Sequence, residues 1–267
     1  MLRMLVVAAV AAVLVAAGLV STGRPRPAPA SDGAAYGPVR VLGDLRTADR
    51  VAVLVPGVGI DPAHLGAPNQ VLGMARALAA EARHTAPGVR LAVVAWADYP
   101  APDGLGLAVA RGGRARVGAR RFGAYLDQLE TRTRAPIGLF CHSYGSVVCG
   151  LSSLDGQVTD LVLYGSPGVR RDRAAAFGHR IRVWAARNDD DWIRFVPNVR
   201  FGDLGHGRDP VDPAFGARVF ASGGAKGHGD YYERGSESLR NLTRIATGHS
   251  NEVSCTRPGC HTGRPNG

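Results

Sequence analysis

Short apolar runs recur along the chain, separated by glycine, proline or charged residues. Nearly every residue within these runs is apolar, and β-branched side chains are common in them. Such runs are typical of strands that are covered on both faces of a sheet. The predicted buried strands cover residues 51–55, 89–96, 137–141, 160–164 and 181–185. We also predict an edge strand at 39–42 and a short final strand at 218–222.

Between the predicted strands, apolar residues recur at the spacing of a helix. Residues 67–84 carry apolar side chains three or four positions apart, and residues 114–131 do the same while presenting many arginines on the other side. Two further helices are predicted at 144–154 and 237–247. Buried strands that alternate with amphipathic helices predict an α/β fold, with one mostly parallel central sheet and helices on both of its faces.

The two ends of the chain differ from the segment between them. Residues 1–30 combine a short positive start, a continuous apolar run and a proline-rich linker. This pattern predicts either a cleaved signal peptide or an N-terminal membrane anchor, and both lead to export. Residues 31–250 have the length of a single domain. Residues 251–267 are polar and rich in glycine and proline, which predicts a flexible tail.

The charge balance changes this picture only slightly. The formal net charge is +10 at pH 7, and almost all of the positive charge is arginine because Lys226 is the only lysine. Such an excess can arise from genomic base composition alone, which we favour; the functional alternative is attraction to anionic lipid, an acidic envelope polymer or nucleic acid. No nucleic-acid-binding motif is present, so we expect no nucleic-acid partner. The arginines of residues 111–134 could hold an anionic partner, although such a run is more often the solvated face of a helix.

The most informative segment is Ile-Gly-Leu-Phe-Cys-His-Ser-Tyr-Gly-Ser at residues 137–146. It predicts a strand, a sharp turn and a helix, with Ser143 at the turn. A nucleophilic serine at such a turn needs small neighbours two positions away on either side, and the usual pattern is G-x-S-x-G. Gly145 fills the second glycine position, and Cys141 replaces the first. The alternative is a serine that only caps the helix.

The segment from Cys141 to Ser146 resembles the His-Ser-Tyr-Gly-Ser elbow of an actinobacterial α/β-hydrolase family long called a domain of unknown function, DUF1023. The resemblance extends over roughly residues 40–247. Its matching segments are an entry strand at 43–57, a strand end at 165–168, an acid loop at 191–193, and a histidine region at 227–228 and 235–239. The resemblance implies the α/β-hydrolase fold and a serine hydrolase.

A serine becomes nucleophilic at neutral pH only when a base takes its proton and an acid orients that base. In α/β hydrolases these residues follow the chain order Ser, Asp or Glu, His. Asp189, Asp190 and Asp191 come directly after a predicted strand, where the acid is required, and the resemblance selects Asp191. His228 lies in a glycine-rich loop after the last predicted strand, which is the expected position of the base. His206 is the second candidate for the base; it ranks below His228 because it lies before that strand, in a different loop.

An oxyanion hole requires two backbone N–H groups near the nucleophile. We expect one from Tyr144, at the start of the helix, and one from Val58, in the loop after the strand at 51–55. His142 adjoins Ser143, and we expect its ring to point away and to be packed or hydrogen-bonded elsewhere.

The four cysteines allow three pairings and are Cys141, Cys149, Cys255 and Cys260. Cys255 and Cys260 could close a small loop in the tail. The reach from Cys141 to Cys149, about two turns up the next helix, is long for a disulfide, so we expect Cys149 to be a small buried hydrophobe. His249 and His261 could join the tail cysteines in a zinc site, but the loose spacing argues against it. We predict no metal and no cofactor.

These observations predict a serine hydrolase that acts on an ester, thioester or amide outside the cytoplasmic membrane, through an acyl-enzyme. It would be a carboxylic ester hydrolase or a lipase-like enzyme, and an acyltransferase would use the same three side chains. We expect a small-molecule or lipid ester as the substrate and membrane association through the N-terminal segment. The alternative is a catalytically silent envelope-binding protein that keeps the hydrolase fold.

Overall fold

A computed structural model describes residues 35–61 and 63–256. Within these residues seven strands form one sheet in the order β1-β3-β2-β4-β5-β6-β7. The strands are β1 Val39–Leu42, β2 Arg50–Val55, β3 Leu91–Trp96, β4 Ile137–His142, β5 Val158–Tyr164, β6 Arg182–Ala186 and β7 Arg218–Val219. Every neighbouring pair is parallel except β1 with β3, which is antiparallel. The predicted mostly parallel sheet is therefore confirmed.

Helices cover both faces of the sheet. The α-helices of the described residues are α1 Val71–Thr85, α2 Leu107–Ala110, α3 Gly113–Arg132, α4 Tyr144–Leu151 and α5 Glu237–Thr247. Short 3₁₀ helices occupy Ala174–Phe177, Trp192–Phe195, Pro213–Phe215 and Ser250–Glu252. None of the helices in the described part of the chain has the length and apolar character needed to span a membrane.

The strands are buried on both faces because alternate side chains point to opposite sides. In β2, Val51, Val53 and Val55 pack with the helices α3 and α4, whereas Ala52 and Leu54 pack with α1 and α5. All five side chains are at most 1% exposed. This explains why β2 reads as a continuous apolar run rather than as an alternating one.

Three predicted element boundaries differ from the structure. The helix predicted from residue 67 begins at Val71, because residues 64–70 form hydrogen-bonded turns. The helix predicted to reach residue 154 ends at Leu151, where Ser152 becomes extended and its hydroxyl group bonds to the carbonyl of Val148. The predicted last strand is reduced to the two residues of β7, after which Phe220 forms an isolated bridge with Cys255.

That bridge brings the beginning of the predicted tail onto the fold. Val253 is 1% exposed, and the carbonyl of Ser254 accepts a hydrogen bond from the N–H of Ala221. The hydroxyl of Ser254 also bonds to Glu237 on α5. Residues 253–255 thus pack against the sheet and α5, which differs from the flexibility expected for the whole tail from residue 251. The predicted leader at 1–30 and residues 257–267 lie outside the described residues.

The parallel strands bring the loops of interest to one edge of the sheet. The loop at 56–59 follows β2, Ser143 follows β4, and the loop at 187–191 follows β6. Each of these loops starts at the carboxyl end of its strand, where open α/β sheets bind their ligands.

Candidate active site

Ser143 occupies a strained turn between β4 and α4. Its backbone has φ 51° and ψ −126°, a conformation that costs free energy for a residue with a side chain. Its N–H bonds to the carbonyl of Tyr164 at 3.1 Å, which ties the turn to the end of β5. The hydroxyl group of Ser143 makes no capping hydrogen bond to α4. The turn therefore exposes the hydroxyl to the loops beyond the sheet edge rather than using it as a helix cap.

Two glycines leave room for this turn. A Cβ atom added to Gly145 would lie 2.4 Å from the carbonyl oxygen of Pro56, so α4 can begin this close to β2 only with glycine there. A Cβ atom added to Gly57 would lie 2.6 Å from the Cβ of Ser143. The loop after β2 thus lies directly against the serine, as its glycine-rich sequence predicts.

A disulfide joins Cys141 to Cys149, contrary to the expectation that this reach is too long. The sharp turn at Ser143 folds α4 back along β4, so two residues eight positions apart have their Cα atoms 6.5 Å apart, within the normal range for a disulfide. Cys149 is buried as predicted, but as half of this bond. Cys255 is also disulfide-bonded, and Cys260, its suggested partner, lies outside the described residues.

The structure brings the side chains of Ser143, His228 and Asp191 into one hydrogen-bonded chain. The Ser143 hydroxyl lies 2.7 Å from Nε2 of His228, and Nδ1 of His228 lies 2.8 Å from Oδ1 of Asp191. A carboxylate only accepts, so Nδ1 carries the proton and Nε2 accepts from the serine. In this tautomer His228 can remove the proton of Ser143.

Asp191 is fully buried, and its two carboxylate oxygens are well satisfied. Oδ1 accepts hydrogen bonds from His228 and from the N–H of Ile193, and Oδ2 accepts one from the hydroxyl of Tyr231 at 2.7 Å. Burial alone raises the pKa of Asp191, but the hydrogen bonds and the nearby His228 outweigh it, so the pKa lies below its ordinary value. Asp189 and Asp190 are exposed, as expected for solvated neighbours.

Two side chains hold the loop that carries His228. The carbonyl of Gly227 accepts a hydrogen bond of 2.6 Å from the side-chain amide of Asn188, and the carbonyl of His228 accepts one of 2.7 Å from Nε2 of His142. Burial lowers the pKa of His142 to about 3, so its ring is neutral. His142 points away from the serine and is hydrogen-bonded elsewhere, as predicted. Two consecutive carbonyls are thus fixed in a glycine-rich loop that would otherwise be mobile.

His206, the runner-up for the base, has both ring nitrogens occupied elsewhere. Nε2 donates to the carbonyl of Val109 at 2.6 Å, and Nδ1 accepts from Arg170 at 3.2 Å. Burial lowers the pKa of His206 to about 4. The ring joins two loops and makes no hydrogen bond to Ser143.

The Tyr99 hydroxyl holds the loop after β2 in place through two backbone carbonyls. The buried Tyr99 hydroxyl lies 2.6 Å from the carbonyl oxygen of Pro56 and 2.8 Å from that of Gly57. A trans peptide points its N–H opposite to its carbonyl, so the carbonyl of Gly57 turned toward Tyr99 directs the N–H of Val58 to the other side. This is the group that we expect in the oxyanion hole, together with the N–H of Tyr144.

Tyr99, Asn188 and Tyr231 contribute to the site but were not predicted from the sequence. Tyr99 lies three residues after the predicted strand at 89–96, and Tyr231 lies three residues after His228. None of the three residues has a spacing in the sequence that indicates a hydrogen bond to a carbonyl or a carboxylate. Their roles arise from contacts between segments that are far apart in the sequence.

We find no cluster of three or more histidine, cysteine or acidic side chains arranged to hold a metal ion in the part of the chain that the structure describes. His249 lies within that part and contacts the hydroxyl of Thr247. Cys260 and His261, the other members of the zinc site considered from the sequence, lie outside it.

The sheet order and the strand–turn–helix at Ser143 define the α/β-hydrolase fold class. A family model described as alpha/beta hydrolase matches residues 32–201, and the chain belongs to this family.

The chain is also similar to several proteins in sequence or in fold. The uncharacterized Mycobacterium tuberculosis protein Rv2079 is 31% identical over 252 residues, which covers 80% of this chain and 37% of that protein. Another, Rv0963c, is 37% identical over 145 residues, or 51% of this chain and 54% of that protein. The chain therefore spans about half or less of the length of these relatives. The crystal structure of esterase PE8 has the same fold, with a TM-score of 0.50, 20% identity and coverage of 79% of this chain and 97% of that one.

Proposed function

We propose that the protein is a serine hydrolase that cleaves an ester, thioester or amide through an acyl-enzyme. The observation that carries this proposal is the hydrogen-bonded chain from the Ser143 hydroxyl through His228 to the buried carboxylate of Asp191. The strained backbone of Ser143 adds support, because strain of this kind is maintained at functional sites. Membership of the α/β-hydrolase family and the fold shared with an esterase agree with hydrolase chemistry.

In the proposed reaction, Oγ of Ser143 attacks the substrate carbonyl carbon while Nε2 of His228 takes its proton. The N–H groups of Val58 and Tyr144 hold the oxyanion of the tetrahedral intermediate. The intermediate collapses, and the leaving group departs with the proton from His228. Water, deprotonated by His228, then releases the acyl group from Ser143. Asp191 stays ionised and stabilises the imidazolium, which fits its lowered pKa. An acyltransferase would replace the water with another acceptor.

We further propose that the protein is exported and acts outside the cytoplasmic membrane, secreted or anchored to the membrane's outer face. The disulfide between Cys141 and Cys149 supports this location, because disulfides persist mainly in oxidising compartments. The leader at 1–30 supports it from the sequence. The finer assignment to the DUF1023 group of actinobacterial α/β hydrolases is part of the proposal, and the mycobacterial relatives support it.

A fluorophosphonate probe tests the proposal, because it reacts only with an activated serine. We expect the full chain to be labelled near neutral pH, and labelling to disappear in the variants Ser143→Ala and His228→Ala. The variant His206→Gln is the matched histidine control and keeps the label, since His206 does not contact Ser143. Release of acid from simple p-nitrophenyl and thioester substrates then defines the bond that is cleaved.

An unlabelled but folded wild type would contradict the proposal. It would favour the catalytically silent envelope-binding protein instead. If labelling persisted in the His228→Ala variant but disappeared in His206→Gln, the base would be His206 and not His228.

A further inference from the structure

Four large apolar side chains stand out from the surface of the described residues. Phe201 is 70% exposed, Phe195 62%, Leu107 61% and Val199 43%. We call these four residues the apolar rim. All four lie in the two long segments that follow β3 and β6, at the sheet edge that also carries Ser143. Three of them fall within only seven residues of the second segment. Exposed apolar side chains are common singly, but a concentration of them at one edge indicates a binding surface.

The two segments that carry the apolar rim pack against each other. The N–H of Gly205 donates to the carbonyl of Ala110 at 2.8 Å, and Arg111 and Leu204 form an antiparallel bridge. Phe201 pairs with Leu204 in the same small turn. Leu107 and Phe201 are therefore carried by adjoining pieces of backbone.

An ion-pair network holds this arrangement. Asp203 lies within 3.0 Å of guanidinium groups of both Arg116 and Arg170, and it accepts a hydrogen bond from the N–H of Gly112. The backbone of the second segment is thus fixed from both sides. Phe201 lies two residues before Asp203, so its exposed side chain is carried by a loop whose backbone is held in place.

The apolar rim begins next to the candidate base. The Trp192 ring lies 4.6 Å from the His228 ring, measured between centroids. Trp192 and Phe195 are the first and last residues of one 3₁₀ helix. Side chains three positions apart eclipse each other in such a helix, so Phe195 continues outward on the face that contacts His228. A surface that covers Phe195 therefore lies close to Trp192 and the candidate base.

Two arginines, Arg194 and Arg200, adjoin these apolar side chains in the sequence. Arg194 bonds to the carbonyl of Asp189 and stacks over the Phe195 ring, and Arg200 bonds to the carbonyl of Arg170. Within the described residues both guanidinium groups bond to backbone carbonyls, and neither forms an ion pair. The nearby carboxylate of Asp203 already serves two other arginines. Exposed apolar side chains next to guanidinium groups are the combination that binds an anionic lipid surface, where apolar groups insert and arginines meet the headgroups.

We propose that the apolar rim docks the catalytic face onto an anionic lipid surface, so that Ser143 meets ester-containing lipids at that surface. The docking site is separate from the N-terminal segment. The statement about the substrate rests on the proposed hydrolase function, whereas the docking itself does not.

The test places an environment-sensitive fluorophore within the apolar rim of the full chain. The variant Phe201→Cys is labelled with a nitrobenzoxadiazole, and Ser153→Cys, an exposed position at the opposite edge of the sheet, is the matched control. No free cysteine competes for the label among the described residues. Both proteins are mixed with vesicles of phosphatidylcholine alone or of phosphatidylcholine with phosphatidylglycerol. The N-terminal segment is common to both, so a difference between them reports the local surface.

We expect the label at 201 to shift to the blue and to brighten at least about twofold with the anionic vesicles only, since the apolar rim enters the acyl boundary. The label at 153 stays unchanged. Adding Arg194→Gln and Arg200→Gln to Phe201→Cys reduces the response, as does high salt.

No response at 201, an equal response at 153, or an equal response to phosphatidylcholine alone would overturn the proposal. If the label at 201 stayed in water with every kind of vesicle, the apolar rim would instead be a binding surface for a protein partner. Fluorophosphonate labelling of Ser143 is measured separately without vesicles, so a failure of docking and a failure of the hydrolase function give different results.

Discussion

Nε2 of His142 lies 2.7 Å from the backbone carbonyl oxygen of His228 and donates a hydrogen bond to it. The residue before the candidate nucleophile thereby fixes the backbone of the candidate base. This contact complements the bond from Asn188 to the preceding carbonyl, that of Gly227. The loop that carries His228 contains several glycines, so these two hydrogen bonds supply the order that its sequence lacks. We therefore regard His142 as a positioning residue.

Two substitutions of His142 distinguish the effect of its hydrogen bond from the effect of its side-chain volume. The variant His142→Phe fills the space without a donor, whereas His142→Gln retains an N–H donor. We expect kcat for a p-nitrophenyl ester to fall about 10- to 100-fold in the phenylalanine variant, because a displaced base loses its alignment with Ser143. The glutamine variant recovers most of the activity. Equal losses in both variants would show that only packing matters at this position.

Tyr99 gives a second test of positioning, with a close control. The variant Tyr99→Phe releases the carbonyls of Pro56 and Gly57, and we expect kcat to fall about tenfold with little change in KM, since an oxyanion donor is misplaced. Tyr125 is partly buried beside Trp96, and its buried hydroxyl has no hydrogen-bond partner within the described residues. The variant Tyr125→Phe therefore keeps the wild-type rate. Similar kinetics for both variants would refute the role of Tyr99.

Two helical glycines are expected to respond to alanine in opposite directions. In Gly145→Ala the new methyl group meets the carbonyls of Val55 and Pro56, so we expect a loss of about 1–3 kcal/mol in the free energy of unfolding. In Gly123→Ala, within α3, the added methyl group meets no atom within 4 Å, and helix propensity adds up to about 1 kcal/mol. Urea unfolding of the two variants measures the contrast. A neutral Gly145→Ala would mean that the start of α4 moves easily.

Acid should destabilise the protein through its buried histidines. An unfolded histidine has a pKa of about 6.5, whereas burial lowers the pKa of His142 to about 3 and that of His206 to about 4. The unfolded state then binds more protons, so stability is fully present above about pH 6.5 and is lost as the pH falls toward 4. Each histidine contributes a slope of about 1.4 kcal/mol per pH unit. Urea unfolding at several pH values measures this slope, and the variant His206→Gln should reduce it by about half. Parallel curves for the variant and the wild type would contradict the prediction.

The disulfide between Cys141 and Cys149 should stabilise the oxidised protein. It closes a loop with a sequence separation of 8, for which the loss of chain entropy in the unfolded state corresponds to about 2–3 kcal/mol. We expect the double variant Cys141→Ala/Cys149→Ala to unfold at correspondingly lower urea concentration. Alkylation in denaturant without a reductant provides the chemical check. Modification of Cys141 or Cys149 under that condition would show that the bond is absent.

The sequence was sufficient for most of the fold, and the reason lies in local patterns. The run at 51–55 predicts a strand covered on both faces because all five residues are apolar. In the structure all five are buried within β2. Helix α5 has the predicted bounds because Ser236 caps its start and Gly248 ends it with a left-handed backbone. The boundaries that differ, such as the start of α1, depend on turns that have no periodic signal.

For the site, the sequence determined which residue types occur and in what order. The strand–turn–helix pattern selected Ser143, and the order along the chain with the loop positions selected His228. The choice of Asp191 from three adjacent aspartates required the resemblance to a family. In the structure the burial of Asp191 and the exposure of its two neighbours separate them, because only one of three successive side chains can face the base.

Contacts between distant segments were decided only by the tertiary structure. The hydrogen bond from Tyr231 to Asp191, the support of Gly57 by Tyr99 and the disulfide across the turn all depend on where separate loops meet. The same is true of the apolar rim, whose members look like ordinary loop residues in the sequence. Periodicity reports how one segment meets the core, whereas the position of one loop against another is set by the parallel sheet that brings their ends to a common edge.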